Sequence, residues 1–185
     1  LSALMSWRFS KPGFRFFVLY KPVERSLHET PTPRLGGVAI MLAVGLCGIP
    51  LFLIHPQPAH ALWVVAGWLL IIAVSVFDDL HELSFVVRLI AHIFAAALVI
   101  VGGLAPESFA AVPGTQWQWP MTLSVVLTTV FIVWMINLYN FMDGIDGFAG
   151  GMAVIGFSAF AMLGLQAGEP LFASVSALIA SASAG

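Results

Sequence analysis

Two carboxylates and two carboxamides stand together at the end of a long apolar run. The run covers residues 121–139, and the four polar residues at its end are Asn137, Asn140, Asp143 and Asp146. Such groups are costly inside a bilayer unless they face a cavity, a partner or the aqueous boundary. Their placement therefore predicts a functional site where a membrane-spanning segment ends.

Two further polar segments supply the other groups that such a site needs. One is the segment 28–37, which contains Arg34, and the other holds the adjacent pair Asp78 and Asp79, shortly before Arg88. Adjacent carboxylates repel each other, and a bound cation relieves that repulsion. Magnesium takes oxygen ligands, commonly one or two carboxylates with waters and substrate phosphates. Carboxylates beside arginines therefore suit a phosphorylated substrate that metal and arginine hold together.

The composition places the chain among integral membrane proteins. Of its 185 residues, 60% are hydrophobic and 9% are charged, and the mean hydropathy is +1.00. A soluble domain carries roughly 25% charged residues, so this composition excludes an ordinary soluble fold and favours membrane helices. The single cysteine, Cys47, lies in an apolar run. A disulfide within the chain is therefore excluded, and we expect a buried packing residue.

Apolar stretches of similar length follow one another along the chain. Each is close to the ~20 residues that an α-helix needs to cross ~30 Å of hydrocarbon. Five are complete and a sixth runs to the end of the sequence: 35–54, 61–77, 85–104, 121–139, 148–165 and 171–184. We predict an all-α fold, a polytopic transmembrane helix bundle that forms a single integral membrane domain over residues 1–185. Because the chain begins at Leu1 rather than Met and ends in an apolar stretch, we expect a fragment truncated at both ends.

The basic residues predict the orientation of these spans. Six precede the first complete span and one follows the second: Arg8, Lys11, Arg15, Lys21, Arg25, Arg34 and then Arg88. The connecting loops without Lys or Arg are 55–60, 105–120 and 166–170. Because cytoplasmic loops carry the excess of Lys and Arg, we predict that 8–34 is a cytoplasmic basic segment. Counting crossings then places 78–84 and 140–147 on the cytoplasmic side as well.

The three polar segments, taken in order, resemble the motifs of a known family. Their sequences are Pro31-Thr-Pro-Arg-Leu-Gly-Gly37, then Phe77-Asp-Asp79, then Asn137-x-x-Asn-x-x-Asp-Gly-x-Asp-Gly-x-x-Gly-Gly151. Over roughly residues 20–165 the chain resembles the polyprenyl-phosphate N-acetylhexosamine-1-phosphate transferases (glycosyltransferase family 4), which include the phospho-N-acetylmuramoyl-pentapeptide transferase. The segment Arg25-Ser-x-His-x-x-Pro-Thr-Pro-Arg34 is most similar to the initiating transferases of O-antigen.

The resemblance implies an enzyme, a magnesium-dependent phospho-N-acetylhexosamine transferase. The phosphate of undecaprenyl phosphate attacks the sugar-linked phosphorus of a UDP-N-acetylhexosamine, UMP leaves, and the lipid-linked product starts a cell-envelope glycan such as lipopolysaccharide. The implied cofactor is Mg2+, with Mn2+ as an alternative. The implied catalytic residues are Asp78 and Asp79, and the implied metal ligands are Asn140 and Asp79. The implied substrate-binding residues are Arg34, Arg88, Asn137, Asp143, Gly144 and Asp146.

The resemblance also implies partners and a location. The partners are undecaprenyl phosphate, a UDP-N-acetylhexosamine and the lipid bilayer, with a homodimer left open and no nucleic acid expected. The location is the bacterial inner (plasma) membrane, with an active face toward the cytoplasm. The family has a later Gly-Asp segment, whose aspartate binds magnesium, and a late His- or Arg-rich loop. Since this sequence contains neither, we expect the fragment alone to be inactive. The sequence also does not determine which sugar is used.

Other interpretations fit part of the pattern. A transporter also holds acidic residues in its helices, near the middle of the membrane, whereas here they stand at span ends on one side. A CDP-alcohol phosphotransferase, another membrane phosphotransferase, also begins with Asp-Gly, but its Ala-Arg and spaced aspartates do not follow Asp143-Gly144. Taken alone, the pair at 78–79 fits a solvated helix end. His81 and His92 are expected to be interfacial or packing residues.

Cysteine labelling from outside the cell tests the predicted orientation. In a background that lacks Cys47, single cysteines in the loop 105–120 should react with a membrane-impermeant reagent, and a cysteine at position 81 should not. The reason is that the basic segment holds its own side of the membrane in the cytoplasm. Labelling of position 81 from outside would remove the aspartate pair from the predicted active face.

Overall fold

Helices make up almost all of the part of the chain that the structure describes. The structure is a computed structural model that describes residues 1–9, 19–20, 32–33, 36–54, 60–109, 115–142 and 147–185. The helices in these ranges are α1 (Ser2–Phe9), α2 (Gly36–Ile54), α3 (Ala61–His81), α4 (Phe85–Val101), α5 (Met121–Met142), α6 (Phe148–Ala167) and α7 (Pro170–Ser183). Two-residue strands form two antiparallel pairs, β1 (Leu19–Tyr20) with β2 (Thr32–Pro33) and β3 (Ser108–Phe109) with β4 (Trp117–Gln118).

Three of the described helices are long and apolar enough to cross a membrane. These are α3, α5 and α6, with 21, 22 and 20 residues. Shorter apolar helical segments are Gly37–Leu51, Phe85–Val101 and Pro170–Ser183. The chain is therefore an all-α, polytopic membrane protein, which confirms the predicted fold class. The helices begin close to the predicted positions, but α3 and α5 continue beyond the predicted ends, to His81 and Met142.

These two extensions change the setting of the motif residues. A helix does not stop where the apolar sequence stops, because each added residue gains a backbone hydrogen bond to the turn before it. Asp78 and Asp79 therefore belong to the last turn of α3, and Asn137 and Asn140 belong to the last turns of α5. The backbone positions of these four side chains are therefore set by a helix and not by a loop.

Small residues occupy the interior of the described part, and large apolar residues cover its outside. The buried apolar residues are all alanine except Met142, whereas Phe131 and Trp134 are 64% and 66% exposed. This distribution is typical of helices that pack through small residues and turn their large side chains toward lipid. Cys47 is exposed, so the expectation of a buried cysteine was wrong. An apolar run on a membrane helix faces lipid as well as protein, and apolarity alone does not distinguish the two.

The chain divides into two compact units, one formed by residues 1–57 with 141–185 and the other by residues 58–140. In the first unit α2 packs against α1 and α7, and α6 forms a helical hairpin with α7. Gly168 ends α6 at φ +74°, and its N–H donates to carbonyls of the preceding turn. Pro170 follows in the first turn of α7. Glycine just after one helix and proline at the start of the next are the residues that this reversal favours.

In the second unit α3 and α4 pack closely through small residues. A Cβ added to Gly67 of α3 would lie 3.4 Å from the carbonyl oxygen of Ala95. Ala91 and Ala96 are buried on α4 as well. The close approach of these two helices follows from the absence of bulk at their interface.

The start of α5 is tied to the segment that follows α4. The carbonyl oxygen of Pro106 accepts a hydrogen bond from the indole N–H of Trp119 at 2.7 Å and another from the hydroxyl of Ser124 at 2.6 Å. Ser124 is fully buried. The Pro106 carbonyl therefore anchors both Trp119, which lies just before α5, and the first turn of α5.

The α6–α7 contact predicts a size limit at Gly164. A Cβ at this position would lie 2.9 Å from Phe172 Cδ1 and about 3 Å from the backbone of Ala173, and backbone cannot move aside as a flexible side chain can. Gly164→Ala should therefore destabilise the protein by about 1–3 kcal/mol. The measurement is the thermal unfolding midpoint in detergent.

Gly156→Ala is the matched control, since it makes the same change in the same helix. No atom lies within 4 Å of a Cβ at Gly156, and alanine is the better helix former by about 1 kcal/mol. Gly156→Ala should leave the midpoint unchanged or raise it. Equal midpoints for the two variants would mean that α7 does not contact Gly164 closely.

Candidate functional site at the ends of α3 and α5

The aspartate pair lies at the C-terminal end of α3, where the aligned peptide dipoles place partial negative charge. A carboxylate there is repelled unless hydrogen-bond donors or cations face it. Asp78 and Asp79 are each half-buried, so water cannot supply all of these partners. The chain that follows α3 must supply part of them.

A tight connection supplies the first partner of Asp78. Glu82 takes a left-handed conformation at φ +49°, and its N–H donates to the Asp78 carbonyl and ends the helix. The N–H of Leu83 then donates to Asp78 Oδ1 at 2.8 Å. Ser84 starts α4 by accepting the N–H of Val87 at 3.4 Å. The carboxylate of Asp78 thus holds the turn between the two helices in place.

An ion pair supplies the second partner. Nη1 of Arg88 on α4 lies 3.2 Å from Asp78 Oδ2, and the side chains are 34% and 26% exposed. Both carboxylate oxygens of Asp78 are therefore engaged, one with the turn and one with Arg88. A guanidinium carries five N–H donors, so this single bond does not exhaust the capacity of Arg88 to bind a phosphate.

Asp78 and Asp79 are adjacent in sequence but leave α3 in different directions. Successive side chains on an α-helix point about 100° apart around its axis. The bonds of Asp78 give it a structural task at the turn. The catalytic roles implied for Asp78 and Asp79 stay predictions.

A second polar contact joins α4 to α5. Nδ2 of Asn137 lies 3.2 Å from Nδ1 of the buried His92 and donates to the carbonyl of Val133 at 2.7 Å. The Val133 carbonyl fixes the orientation of the amide, because a flipped amide would bring two oxygens together. Nδ1 of His92 is therefore the acceptor, and the ring proton is on Nε2.

One face of α4 carries both of these contacts. Arg88 and His92 are four residues apart, which is about 6 Å along the helix axis. The buried alanines of α4 lie on the same face. Arg88 contacts Asp78 at the end of α3, and His92 contacts Asn137 near the end of α5. The first turns of α4 thus connect the helix ends that carry the second and third motifs.

A groove of about 520 Å³ lies beside the contact between α4 and α5. Its lining includes Ile93, Val133, Trp134 and Leu138. Thr129 and Asn137 also line it, but almost all of its surface is apolar. The amide of Asn137 therefore stands at the border between an apolar surface and the polar ends of the helices.

The predicted site residues are only partly within the described chain. Those outside it are Arg34, Asp143, Gly144 and Asp146, together with most of the basic segment. Among the described ones, Asp78 contacts Arg88 and Asn137 contacts His92, while Asn140 is exposed on α5. The expected closeness of the aspartate pair to residues 140–146 stays a prediction.

His92 is the residue that sequence reasoning set aside and the structure brings into the site. Its hydrogen bond to Asn137 is more specific than the packing role expected for it. The signal was present in the spacing, because Arg88, Ala91, His92 and Ala95 fall on one helical face. That face is the one that α4 buries, so a histidine on it needs a polar partner.

The magnesium site stays a prediction. Within them, no three side chains of His, Cys, Asp or Glu are grouped so as to hold a metal ion. The donors present are oxygens of Asp79 and Asn140, and oxygen is the ligand atom that Mg2+ takes. Because Mg2+ commonly uses one or two carboxylates and fills the remaining positions with waters and phosphates, this donor set is chemically suitable.

Apolar helices with carboxylates, amides and an arginine at their ends define a multi-pass membrane protein. The chain belongs to glycosyl transferase family 4, whose family description matches residues 61–185. That range includes the second and third motifs.

Curated relatives resemble most of the chain. It is 30% identical over 166 residues to the probable undecaprenyl-phosphate N-acetylglucosaminyl 1-phosphate transferase of Bacillus subtilis, covering 89% of this chain and 46% of that protein. It is 29% identical to the undecaprenyl-phosphate alpha-N-acetylglucosaminyl 1-phosphate transferase of Yersinia pestis, covering 86% and 43%. It is 32% identical to the decaprenyl-phosphate N-acetylglucosaminephosphotransferase of Mycolicibacterium smegmatis, covering 77% and 37%. The chain thus spans less than half the length of these relatives. No solved structure matches it.

Two substitutions at Asp78 separate its two bonds. Asp78→Asn keeps an oxygen for the N–H of Leu83 but removes the charge that faces Arg88, which should cost up to about 1 kcal/mol of stability. Asp78→Ala removes both bonds and should cost about 1 kcal/mol more, because the N–H of Leu83 loses its acceptor. The thermal unfolding midpoints of the two variants measure the difference.

Glu107→Gln is the control for these variants, since Glu107 is an exposed acidic residue far along the chain from the turn. It should stay within about 0.5 kcal/mol of the parent. If Asp78→Ala and Asp78→Asn unfold at the same temperature, the bond to Leu83 does not hold the turn.

Proposed function

We propose that the full-length protein transfers a sugar 1-phosphate from a UDP-N-acetylhexosamine to undecaprenyl phosphate and releases UMP. The observation that carries this proposal is the family match over the second and third motifs. The names of the relatives support the acceptor, since each is described as acting on undecaprenyl or decaprenyl phosphate. The same names favour N-acetylglucosamine as the sugar.

The geometry at the end of α3 supports this chemistry. A polyprenyl phosphate keeps its chain in the hydrocarbon and its phosphate at the polar boundary, where Asp79 and Arg88 lie at helix ends. Arg88 supplies guanidinium donors of the kind that bind phosphate oxygens. Asp78 orients Arg88 through the 3.2 Å ion pair, so the cation is held in place before substrate arrives.

Asp79 and Asn140 are proposed to hold Mg2+ together with residues of the segment 143–146. The ion would neutralise the diphosphate and the leaving UMP, which is the main electrostatic demand of phosphoryl transfer. Asp78 and Asp79 are proposed to orient or deprotonate the lipid phosphate, and Asp78 also secures the turn. Asp143 and Asp146 are proposed to lie near the nucleotide.

The active face is proposed to be cytoplasmic, in the bacterial inner membrane. The concentration of Lys and Arg in 8–34 supports that orientation, and a nucleotide-sugar donor requires it. The carboxylates at the end of α3 and the amides near the end of α5 agree with an enzyme site at the boundary better than with a transport path through the middle of the membrane.

The decisive measurement is UMP release from UDP-N-acetylglucosamine by the full-length protein, with undecaprenyl phosphate and with or without Mg2+. Asp79→Asn should lower turnover by about 10²–10³, because it deletes one charge at the reacting centre while keeping the shape of the side chain. Folding of the variant is checked in parallel by its unfolding midpoint.

Glu107→Gln is again the control and should turn over at the parent rate. Release of UMP by Asp79→Asn at the parent rate would show that this carboxylate takes no part in the chemistry. Failure of the parent to release UMP from any UDP-N-acetylhexosamine would refute the proposed function itself.

A further inference from the structure

We infer that His92 is a positioning residue, which holds the polar end of α5 in register with the end of α3 through its hydrogen bond to Asn137. This inference rests on the proposed function, because it concerns the alignment of groups that would act in the transfer. It assigns His92 no contact with substrate or metal.

The contact is well defined by its geometry. The two hydrogens of the Asn137 amide point to the Val133 carbonyl at 2.7 Å and to His92 Nδ1 at 3.2 Å. The first bond fixes the side chain to its own helix, and the second fixes that helix to α4. The amide thus transmits the position of α4 directly to the backbone of α5.

At this end of α5, Met142 is buried, but several large apolar side chains are exposed. Along the helix, Val130, Trp134, Leu138 and Phe141 are exposed, at 58%, 66%, 36% and 81%. Contacts of exposed apolar side chains with lipid do not specify a rotation or a height, because lipid tails adapt to any apolar surface. A hydrogen bond in hydrocarbon does specify both, because its partners have no alternative there.

The position of His92 on α4 connects this contact to the proposed site. Arg88 lies one turn earlier on the same face and holds Asp78. The polar ends of α3 and α5 are therefore both bonded to the first two turns of a single helix, α4. Asn140 follows Asn137 by three residues, so rotation of α5 about its axis would displace it as well.

The contact of Ser124 with Pro106, at the other end of α5, provides a matched control. Ser124 is fully buried and donates to the Pro106 carbonyl at 2.6 Å, so Ser124→Ala also removes one polar contact of α5. It lies about four turns of helix away from Asn137. If the role of His92 were purely structural, its loss would affect the protein in the same way as Ser124→Ala.

The experiment compares His92→Leu, His92→Asn and Ser124→Ala in the full-length protein. Leucine keeps bulk without an acceptor, whereas asparagine places an oxygen close to where Nδ1 stands in histidine. His92→Leu should lower kcat for UMP release by roughly 10- to 100-fold, the loss that follows from a misplaced reacting group, while the KM for undecaprenyl phosphate changes little. His92→Asn should recover most of that kcat, and Ser124→Ala should lower the unfolding midpoint without lowering kcat.

A double-variant cycle tests the contact without any assay of activity. If His92 and Asn137 are bonded, the double variant His92→Leu/Asn137→Leu should unfold at about the temperature of the less stable single variant. Midpoint shifts that simply add would show that no bond exists and would overturn the inference.

The outcomes separate the two proposals. A parent enzyme that releases UMP, together with a His92→Leu variant of equal kcat, overturns the positioning role and leaves the proposed function intact. Equal losses of kcat in His92→Leu and Ser124→Ala also overturn it, because both ends would then act only through stability. A parent that releases no UMP overturns the proposed function, and with it the positioning role.

Discussion

Hydrocarbon offers no hydrogen-bond partners, so polar side chains on the membrane helices must find theirs within the protein. In the described chain, Asp78 bonds to Arg88 and Asn137 to His92 between neighbouring helices, and Ser124 bonds to the Pro106 carbonyl in the segment after α4. The buried hydroxyl of Thr128 has no hydrogen-bond partner there. The buried apolar surface around them consists almost entirely of alanines. Small residues allow helices to approach closely but define few unique positions. The polar contacts therefore determine the register that apolar packing leaves open.

The second unit shows how a few such contacts organise a site. α4 lies between the two motif-bearing helices in sequence, and its first turns bond to both. The turn before α4 depends on a carboxylate of the aspartate pair, since Asp78 accepts the N–H of Leu83. A residue that resembles a catalytic group of the family therefore also shapes the fold.

The helices were largely predictable, because runs of apolar residues set both their type and their approximate limits. The ends were not, since α3 and α5 continue through polar residues such as Asp79 and Asn140, where hydrophobicity gives no signal. The ion pair of Asp78 with Arg88 was also beyond prediction. It depends on the left-handed turn at Glu82, a conformation uncommon for a residue other than glycine. The exposed Cys47 illustrates a third limit, because sequence does not tell lipid-facing from protein-facing positions.

The hairpin of α6 and α7 bears on how the protein enters the membrane. Glu169 is the only charged residue between Phe148 and Ser183, and it stands in the turn between the two helices. Gly164 and Ala173 bring the helices into contact beside this turn. If α6 and α7 pair early, they can enter the lipid as one folded element. Glu169 is then the single charge of this element that must cross the membrane. The short reversal Gly168-Glu169-Pro170 would then set the geometry of that element.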